Sequence, residues 1–364
     1  MPLLSDLGLR LMLLLGSKTT PLPAAPTLVD ALQSVEVTAD REKGDGVQVV
    51  FRQWPPASLL GDPSLAPGNR LIVAVLVGLV PHVLLDGTIA HQESGDGTLT
   101  VTARDLSAEL DLEERDARYP NQSDSVIVAQ ILGRYANLGI TPAVSPTADV
   151  PIETERVPQQ NETDLAFVRR MAERNGYAFY IEPVTIGVSK AYWGPEVRAG
   201  IPQPALTQGM GAAANVSSIS FAIDAEAGVE TSGRILEPFT GLALPVPSLP
   251  SLRVPPLAAR PVPAMRRAIA RDTANQSAAT AATSVLAASA NAPNAVTGTG
   301  EVDTAAYGHV LRPRGLVGVR GVGLAFDGLY VVDAVTHKLS RGAYTQSFRL
   351  SREGLVSTVP VVPV

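Results

Sequence analysis

The chain has 364 residues, of which 45% are hydrophobic and 18% charged. A single core rarely grows beyond about 250–300 residues, so several domains are expected. A net charge of −6 and 5% aromatic residues argue against a general nucleic-acid-binding protein. The absence of cysteine excludes disulfide scaffolds, cysteine–zinc sites and thiol catalysis. The 31 glycines and 30 prolines favour short strands and turns over long helices.

Two apolar runs raise the question of a membrane or export segment. The first run, residues 1–16, is interrupted by Asp6 and Arg10, and its longest uninterrupted part is shorter than the apolar core of a secretion signal. The second run, Leu71–Val80, falls well short of the ~20 residues that a helix needs to cross a bilayer. Both runs are therefore predicted as β-strands, and no direct membrane insertion is expected.

The first part of the chain is predicted to be β-rich. Strands are expected over Leu28–Thr38, Val47–Gln53, Val83–Gln92 and Thr98–Arg104. A glycine-containing turn at 41–46 joins the first two strands, and another at 94–97 joins the last two. Glycine allows the positive φ that tight hairpins require. This part is therefore predicted as a small antiparallel barrel or sandwich.

Helical signals follow. The acid-rich segment 105–118 is predicted as a solvated face. Ser123 and Asp124 predict the start of a helix, since short polar side chains cap free amides. The apolar stripe of this helix is Ile127, Ile131 and Tyr135.

The most consistent local pattern is a second helix over 161–176. Asn161 is predicted as its N-cap and Gly176 as its end, and acidic and basic residues complement the helix dipole at the two ends. A strand is expected directly afterwards, over Tyr177–Glu182. This middle part is therefore predicted to be α/β.

β-character returns in the last part of the chain. Strands are expected over Val216–Ile223, Gly228–Leu236, Leu316–Val322, Gly328–Val335 and Ala343–Leu350. Between them, residues 237–265 hold eight prolines and are predicted as an extended linker or strap, since proline lacks an amide donor. The segment Arg266–Ala292, rich in Ala, Ser and Thr, is predicted as a shallowly packed helix.

The sequence shows no established catalytic or metal-binding motif. Its four histidines, His82, His91, His309 and His337, do not fit a zinc-hydrolase pattern, and a Gly-x-Ser-x-Gly elbow is absent. His91 and Glu93 share one face of a strand, so a metal site or an acid/base pair is one interpretation and an ordinary exposed pair is the other. No residue is assigned as catalytic, cofactor-binding or metal-binding, and no cofactor is expected.

Near the C-terminus, Arg312, Arg314 and Arg320 form a local basic group. One interpretation is a site for phosphate or for an acidic partner, and the other is an exposed strand edge protected by charge. The neighbouring glycines from Gly318 to Gly323 do not form a Gly-x-Gly-x-x-Gly motif. They predict a strand that another backbone approaches closely.

Two stretches resemble a known family. Residues 157–180, VPQQNETDLAFVRRMAERNGYAFY, closely resemble the central signature of the phage late-control D family. This family comprises the baseplate hub proteins of contractile tails and is related to the VgrG spikes of type VI secretion. The run Leu311–Gly354 is similar to the same family, with RGLVGV at 314–319 and DGLYVV at 327–332. Pro23–Val37 resembles the hubs of contractile injection systems.

The resemblance implies a β-dominated α+β fold with two tail-tube-like antiparallel β-barrel domains and an inserted α/β domain. The expected boundaries are 1–110 for the first barrel, 111–205 for the insert, 206–236 for the start of the second barrel, 237–300 for a Pro-rich strap and an Ala-rich segment, and 301–364 for the rest of the second barrel and the tail.

The resemblance also implies a structural function rather than catalysis. The expected protein is a homotrimeric baseplate hub with pseudo-sixfold symmetry, which joins a sixfold inner tube to a threefold spike in a contractile injection system. The expected partners are the spike protein, the inner tube or tube-initiator protein, and the surrounding baseplate proteins, with no nucleic acid. The acidic insert face and the strap at 237–265 are candidate contacts.

The particle is expected to assemble in the cytoplasm and to carry the hub with it on release. The sequence does not distinguish between a phage, an extracellular injection system and a cytoplasmic one. VgrG chains continue into an oligonucleotide/oligosaccharide-binding-like domain and a β-helix needle, whereas this sequence stops at Val364, soon after the hub-like part. The spike and tip are therefore expected to be separate proteins. Two other functions also remain: a tail-tip cell-wall hydrolase, which needs a pair of carboxylates that the sequence does not single out, and an effector-loading adaptor.

Overall fold

The computed structural model describes residues 9–41, 43–55, 58–78, 80–154, 157–227, 229–236, 243–246, 255–263, 265–269 and 294–359. Within these ranges the strands of the N-terminal part are β1 Leu9–Gly16, β2 Pro21–Pro23, β3 Leu32–Asp40, β4 Gly44–Arg52, β5 Arg70–Val77, β6 Val80–Gly95 and β7 Thr98–Asp105. Those of the middle part are β8 Glu114–Arg118, β9 Ile140–Val144, β10 Gln159–Thr163, β11 Ala178–Thr185 and β12 Val188–Gly194.

The remaining strands are β13 Gln203–Thr207, β14 Ser218–Ile223, β15 Val229–Leu236, β16 Ala243–Val246, β17 Ala258–Pro261, β18 Arg266–Ile269, β19 Val296–Asp303, β20 Leu316–Arg320, β21 Gly328–Ser340, β22 Ala343–Arg352 and β23 Gly354–Ser357. The α-helices of the described ranges are α1 Pro26–Ala31, α2 Asp124–Gly133, α3 Asp164–Asn175 and α4 Thr304–Tyr307. None of these helices has both the length and the apolar character needed to cross a membrane.

One 13-stranded sheet runs through most of the molecule. Its strand order is β14-β19-β22-β21-β3-β4-β7-β6-β5-β1-β2, and β20 pairs with both β21 and β13. The path ends at β14 and β2, so the described strands form no closed barrel. The β-dominated α+β class is confirmed.

Strand β21 joins the two halves of this sheet. Its first residues, 328–331, pair with β20, whereas Ala334–Ser340 pair with β3. On its other edge β21 pairs with β22, with an irregularity between Val332 and Ala334 where the partner changes. A C-terminal strand thus covers the edge of the N-terminal strands, which would otherwise present unpaired backbone groups.

Three main apolar clusters form the core. The first lies under β1 and β3–β7 and is completed by Val310, Leu339 and Tyr344 from the C-terminal part. The second runs from Leu106 to Trp193 and belongs to the middle part of the chain. The third runs from Leu206 to Leu350. Because residues distant in sequence share the first cluster, the N- and C-terminal parts stabilise each other.

The middle part, called the insert below, is built on α2, α3 and a three-stranded sheet ordered β11-β12-β9. The helix predicted over 161–176 is present as α3, and Gly176 ends it at a φ of 66°. The prediction that Asn161 caps it was wrong. The Thr163 hydroxyl accepts a hydrogen bond from the Ala166 amide at 3.2 Å instead. Asn161 lies on β10, because pairing with β8 keeps the chain extended up to Thr163.

Two further sequence predictions need correction. Residues 28–31, predicted as part of a strand, belong to α1, which begins with Pro26, a residue whose fixed φ suits the first helical position. Arg266–Ile269, predicted as helix, is strand β18, and its backbone groups pair in parallel with β15. Residues 270–292 of that predicted helix lie outside the described residues.

Only parts of the predicted proline-rich strap fall within the described ranges. Residues 243–246 form β16, which pairs with β15, and residues 258–261 form β17, which pairs with β23. Both are short and pair along one edge, as expected where proline removes amide donors.

Candidate functional site

Charged and aromatic side chains gather where the insert meets N-terminal and C-terminal parts of the large sheet. We call this group the charged junction. Its members are Asp40, Arg41, Asp45, Tyr180, Glu196, Arg198, Arg314 and Glu353.

The centre of the charged junction is an ion pair between Arg314 and Asp45. Arg314 donates from Nη1 to Asp45 Oδ2 at 3.0 Å and from Nη2 to Asp45 Oδ1 at 2.6 Å. The side chains are 5% and 3% exposed. Such a bidentate pair fixes direction as well as distance. Arg314 also has a φ of 65°, a value that a residue other than glycine keeps only when its surroundings fix it.

The backbone around the pair is held by the same groups. Arg314 Nη2 donates to the Asp40 carbonyl at 3.0 Å, and the Asp40 amide donates to Asp45 Oδ1 at 3.1 Å. The Asp45 amide in turn donates to Asp105 Oδ2 at 3.3 Å. Burial raises the pKa of Asp45 to about 6 against the opposing effect of Arg314, so this carboxyl is ionised at neutral pH.

An aromatic stack ties the insert to this pair. The Arg314 guanidinium lies over the Tyr180 ring at 4.5 Å from its centroid, and Tyr192 stacks on Tyr180 at 5.1 Å. Burial, followed by the charge of Glu182, raises the pKa of Tyr180. The tyrosine is therefore neutral and packs as an aromatic face for the cation.

Two more ion pairs extend the charged junction. Arg41, in the β3–β4 turn, donates to Glu196 of the insert at 2.7 Å, and Arg198 donates to Glu353 at 2.9 Å. Glu353 also accepts from the amides of Leu257 and Ala258. Although burial opposes its charge, the Ala258 amide and Arg198 hold the pKa of Glu353 below its ordinary value. These carboxylates are occupied as acceptors, an arrangement suited to holding regions together.

A second buried pair lies beside Ser189 of the insert. Arg70 donates from Nε and Nη2 to the two oxygens of Asp86, both at 2.7 Å. The Ser189 hydroxyl of the insert reaches Asp86 at 3.5 Å. Near it, Glu109 accepts from Thr88 and Lys18, both at 2.7 Å. The prediction that residues 105–118 form a solvated face was therefore wrong for Glu109, which is 9% exposed and binds the sheet.

Much of the 157–180 motif stabilises the insert itself. Asp164 is fully buried and accepts from Gln160 at 2.6 Å, Tyr135 at 2.9 Å and Arg134 at 3.2 Å. At the other end of α3, Arg174 and Asn175 donate to Asp124 at the start of α2. The polar residues of the motif thus connect α3 to α2 and to the segment that follows it.

The histidines and carboxylates that the sequence singled out do not form a metal site among the described residues. His91 and Glu93 are both exposed on β6. Among the residues that the structure describes, His, Asp and Glu form no group of three or more that could hold a metal ion. His337 is buried, with its Nδ1 at 3.0 Å from the Tyr344 hydroxyl, and burial followed by the charge of Arg312 lowers its pKa to about 3.

The basic group at 312–320 is not one patch. Arg314 is buried in its pair with Asp45, so both the binding-site and the exposed-edge interpretations were wrong for it. Arg320 donates to the Thr207 hydroxyl at 3.0 Å on the β20–β13 edge. Arg312 lines a cleft that the Arg314–Asp45 pair also borders. The prediction of close backbone approach is confirmed at Gly321, where an added Cβ would lie 1.9 Å from the Gln208 carbonyl oxygen.

The sequence predictions missed the acidic members of the charged junction. Residues 41–46 were interpreted only as a hairpin turn, and the turn is present. The missed signal is the position of Asp45, which shares the inward face of β4 with Val47, Val49 and Phe51. A charged residue on an apolar face points to a buried partner, although the sequence does not say which one.

Comparisons with known proteins agree with this architecture. No protein-family model matches the sequence, and neither does any curated protein. Among solved structures, a tail protein from Neisseria meningitidis MC58 matches with a TM-score of 0.65 and 14% identity over 96% of this chain and 98% of that one. The 43 kDa tail protein of prophage MuSo2 from Shewanella oneidensis matches with a TM-score of 0.62 and 14% identity, over 95% of this chain and 98% of that one.

A third match comes from a secretion system. The c3393 protein of E. coli, a type VI secretion component described as similar to the T4 bacteriophage tail proteins gp27 and gp5, matches with a TM-score of 0.57 and 14% identity, over 92% of this chain and 78% of that one. At this level of identity the likeness shows the fold. The chain thus has the fold of phage-tail and type VI secretion proteins along nearly its whole length.

Proposed function

We propose that the protein is a structural baseplate hub of the late-control D and VgrG-related type. The observation that carries the proposal is the extent of the fold likeness, 96% of this chain against 98% of the tail protein from Neisseria meningitidis MC58. A likeness limited to the insert or to one half of the sheet would fit many functions. One that includes both β regions and the insert between them favours a role shared with tail proteins.

In this proposal three copies form a ring that joins the sixfold inner tube to the threefold spike. Each copy supplies an N-terminal and a C-terminal β region, so three copies present six β units to the tube and three equivalent surfaces to the spike. The strands at the two ends of the sheet path, β2 and β14, support this assembly, since an edge strand is a ready template for pairing with another chain.

The charged junction supports a mechanical role. A hub that transmits force needs its β regions and insert to keep one arrangement, and the buried bidentate pair Arg314–Asp45 has strong orientational demands. The pairs Arg314–Asp45, Arg41–Glu196 and Arg198–Glu353 each connect parts of the chain more than 150 residues apart. We infer that the protein works through its interfaces, without catalysis, in a particle assembled in the cytoplasm.

Co-expression with spike and tube proteins of the same particle tests the proposal. We expect native mass spectrometry to find a complex with three copies of the 38.1 kDa chain, and cryo-electron microscopy to place them on the particle axis between tube and spike. A chain that stays monomeric with both partners present, or lies off the axis, would contradict the proposal. Cleavage of peptidoglycan by the purified chain would favour a hydrolase, and binding to an effector without tube or spike would favour an adaptor.

A further inference from the structure

The strand at one end of the large sheet, β14, has an open edge. It pairs with β19 along its whole length, Ser218–Ile223, and with no other strand of the described chain. Its sequence, SISFAI, holds no proline and no charge, and its register with β19 has no bulge. Edge strands commonly carry one of these features, because each hinders pairing with another chain. An edge without them is suited to accept a further strand.

Four carboxylates flank the two ends of this edge: Asp224 and Glu226 just after β14, and Glu301 and Asp303 on β19. Glu301 lies opposite Ser218, the first residue of β14. None of the four carboxylates forms an ion pair with a described residue. The described residues 208–227 and 294–311 contain no lysine or arginine. The β14 end of the sheet is therefore acidic, which disfavours an acidic partner without blocking the uncharged strand itself.

The other end of the sheet offers an open edge with the complementary charge. Strand β1 pairs with β5 along its whole length, whereas β2 covers its other edge only at Leu14–Gly16. Among the described residues this edge is open over 9–12. Arg10 lies in the open part, is exposed and forms no ion pair with a described residue. Leu9–Val29 contains Lys18 as a second cation and no carboxylate.

The two edges also match in their apolar sides. On β14, Ile219 and Phe221 pack against the third core cluster, and on β1, Leu11 and Leu13 pack against the first. Side chains alternate between the two faces of a strand, so a register that places these two pairs on the same side makes one continuous apolar face. The alternate residues of β14 are small or polar and are exposed.

We propose that β14 of one copy pairs with the open edge of β1 of a second copy, with Arg10 against the carboxylates at one end of β14. This inference rests on the proposed trimer and names the surfaces that join its copies. A ring closes through a contact between two different surfaces of the chain, as β14 and β1 are. Their pairing would satisfy backbone groups on both edges and bring unlike charges together. Two β14 strands facing each other would instead bring like charges together.

Charge reversal tests the contact. The chain is co-expressed with spike and tube proteins of the same particle, and native mass spectrometry gives the trimer-to-monomer ratio. We expect Arg10→Glu to lower this ratio about tenfold or more, because it places like charges in every contact of the ring. Arg52→Glu makes the same charge change at an exposed position of β4, a strand with neighbours on both sides, and should leave the ratio unchanged.

A second reversal on the acidic side identifies the partner of Arg10. Glu226→Lys and Glu301→Lys act at opposite ends of β14, and Glu226 is exposed and Glu301 half-buried. We expect one of them, combined with Arg10→Glu in the same chain, to restore the trimer. The end at which this happens gives the direction of β1 along β14. If neither combination restores a trimer that Arg10→Glu has weakened, the proposed contact is wrong.

The same experiment separates this contact from the proposed function. A wild-type chain that stays monomeric with both partners present overturns the hub proposal and this contact with it. A trimer that Arg10→Glu leaves intact overturns the contact alone and leaves the hub proposal standing. An equal loss of trimer in Arg52→Glu would mean that net charge governs assembly, and it too overturns the contact.

Discussion

Arg314 and Asp45 lie 269 positions apart in the sequence, yet they form a two-point ion pair at 3.0 and 2.6 Å. The pair connects the start of β4 to the segment before β20, and Tyr180 of the insert covers it. One side-chain contact therefore reports on whether the N-terminal β region, the insert and the C-terminal β region hold their native positions together.

Breaking this pair should destabilise the whole chain. Arg314→Met leaves Asp45 buried without its cation, so the carboxyl must stay ionised at a cost or take up a proton, and we expect the free energy of unfolding to fall by about 3–5 kcal/mol. The double variant Asp45→Leu/Arg314→Met removes both charges and should recover most of that loss. Urea unfolding gives the free energies of Arg314→Met, Asp45→Leu and the double variant, with the exposed Arg341→Met as control. If the double variant is as unstable as the sum of the single ones, the two residues do not act as a pair.

His337 should make the protein sensitive to acid. Its pKa is about 3 in the folded state and near 6.5 when unfolded, because burial disfavours the charged imidazole. Between these values only the unfolded state binds the proton, so stability is present above pH 6.5 and is lost as pH falls. At pH 5 the loss is about 2 kcal/mol.

The matched variant for this test is His337→Gln, which does not titrate and can still hydrogen-bond Tyr344. The difference in unfolding free energy between wild type and variant should change by about 1.4 kcal/mol per pH unit between pH 6 and 4. A difference that stays constant over this range would show that His337 titrates alike in the folded and unfolded states.

The helices and turns of this fold can be predicted from local sequence, whereas its contacts between residues distant in sequence cannot. The patterns at Asp124 and Gly176 predict where α2 begins and where α3 ends, because helix ends depend on a few neighbouring residues, although the Ser123 side chain makes no capping hydrogen bond. Nothing near Arg314 identifies Asp45 as its partner, since that contact is created only when β21 pairs with β3. For the same reason Arg312 and Arg314, two residues apart and on the same cleft, look alike in the sequence although only Arg314 forms an ion pair with Asp45.

Gly321 should tolerate no side chain. It has a φ of 80°, and an added Cβ would lie 1.9 Å from the Gln208 carbonyl oxygen, so Gly321→Ala combines backbone strain with a clash against the segment that follows β13. We expect a loss of about 2–4 kcal/mol in unfolding free energy. Gly323→Ala is the matched control. Gly323 also has a positive φ, of 102°, but an added Cβ meets nothing within 4 Å. Equal losses in both variants would mean that the close approach to Gln208 has no energetic effect.

The polar residues of the 157–180 motif should govern the stability of the insert. Asp164→Asn replaces a buried carboxylate that accepts from Gln160, Tyr135 and Arg134 by an amide, whose NH₂ group would face either the Gln160 donor at Oδ1 or the Tyr135 donor at Oδ2. We expect a loss of about 2–3 kcal/mol. Hydrogen exchange should become faster across residues 106–194 and change little in β3 and β4.

Glu173→Gln, on the exposed face of the same helix, is the control for this experiment and should leave exchange unchanged. Localised loss of protection would mean that the insert unfolds as its own cooperative unit while the large sheet persists. A uniform increase along the chain would instead mean that the charged junction couples the insert to the sheet so tightly that the two unfold together. Unchanged protection in the insert would mean that the buried hydrogen bonds of Asp164 do not stabilise it.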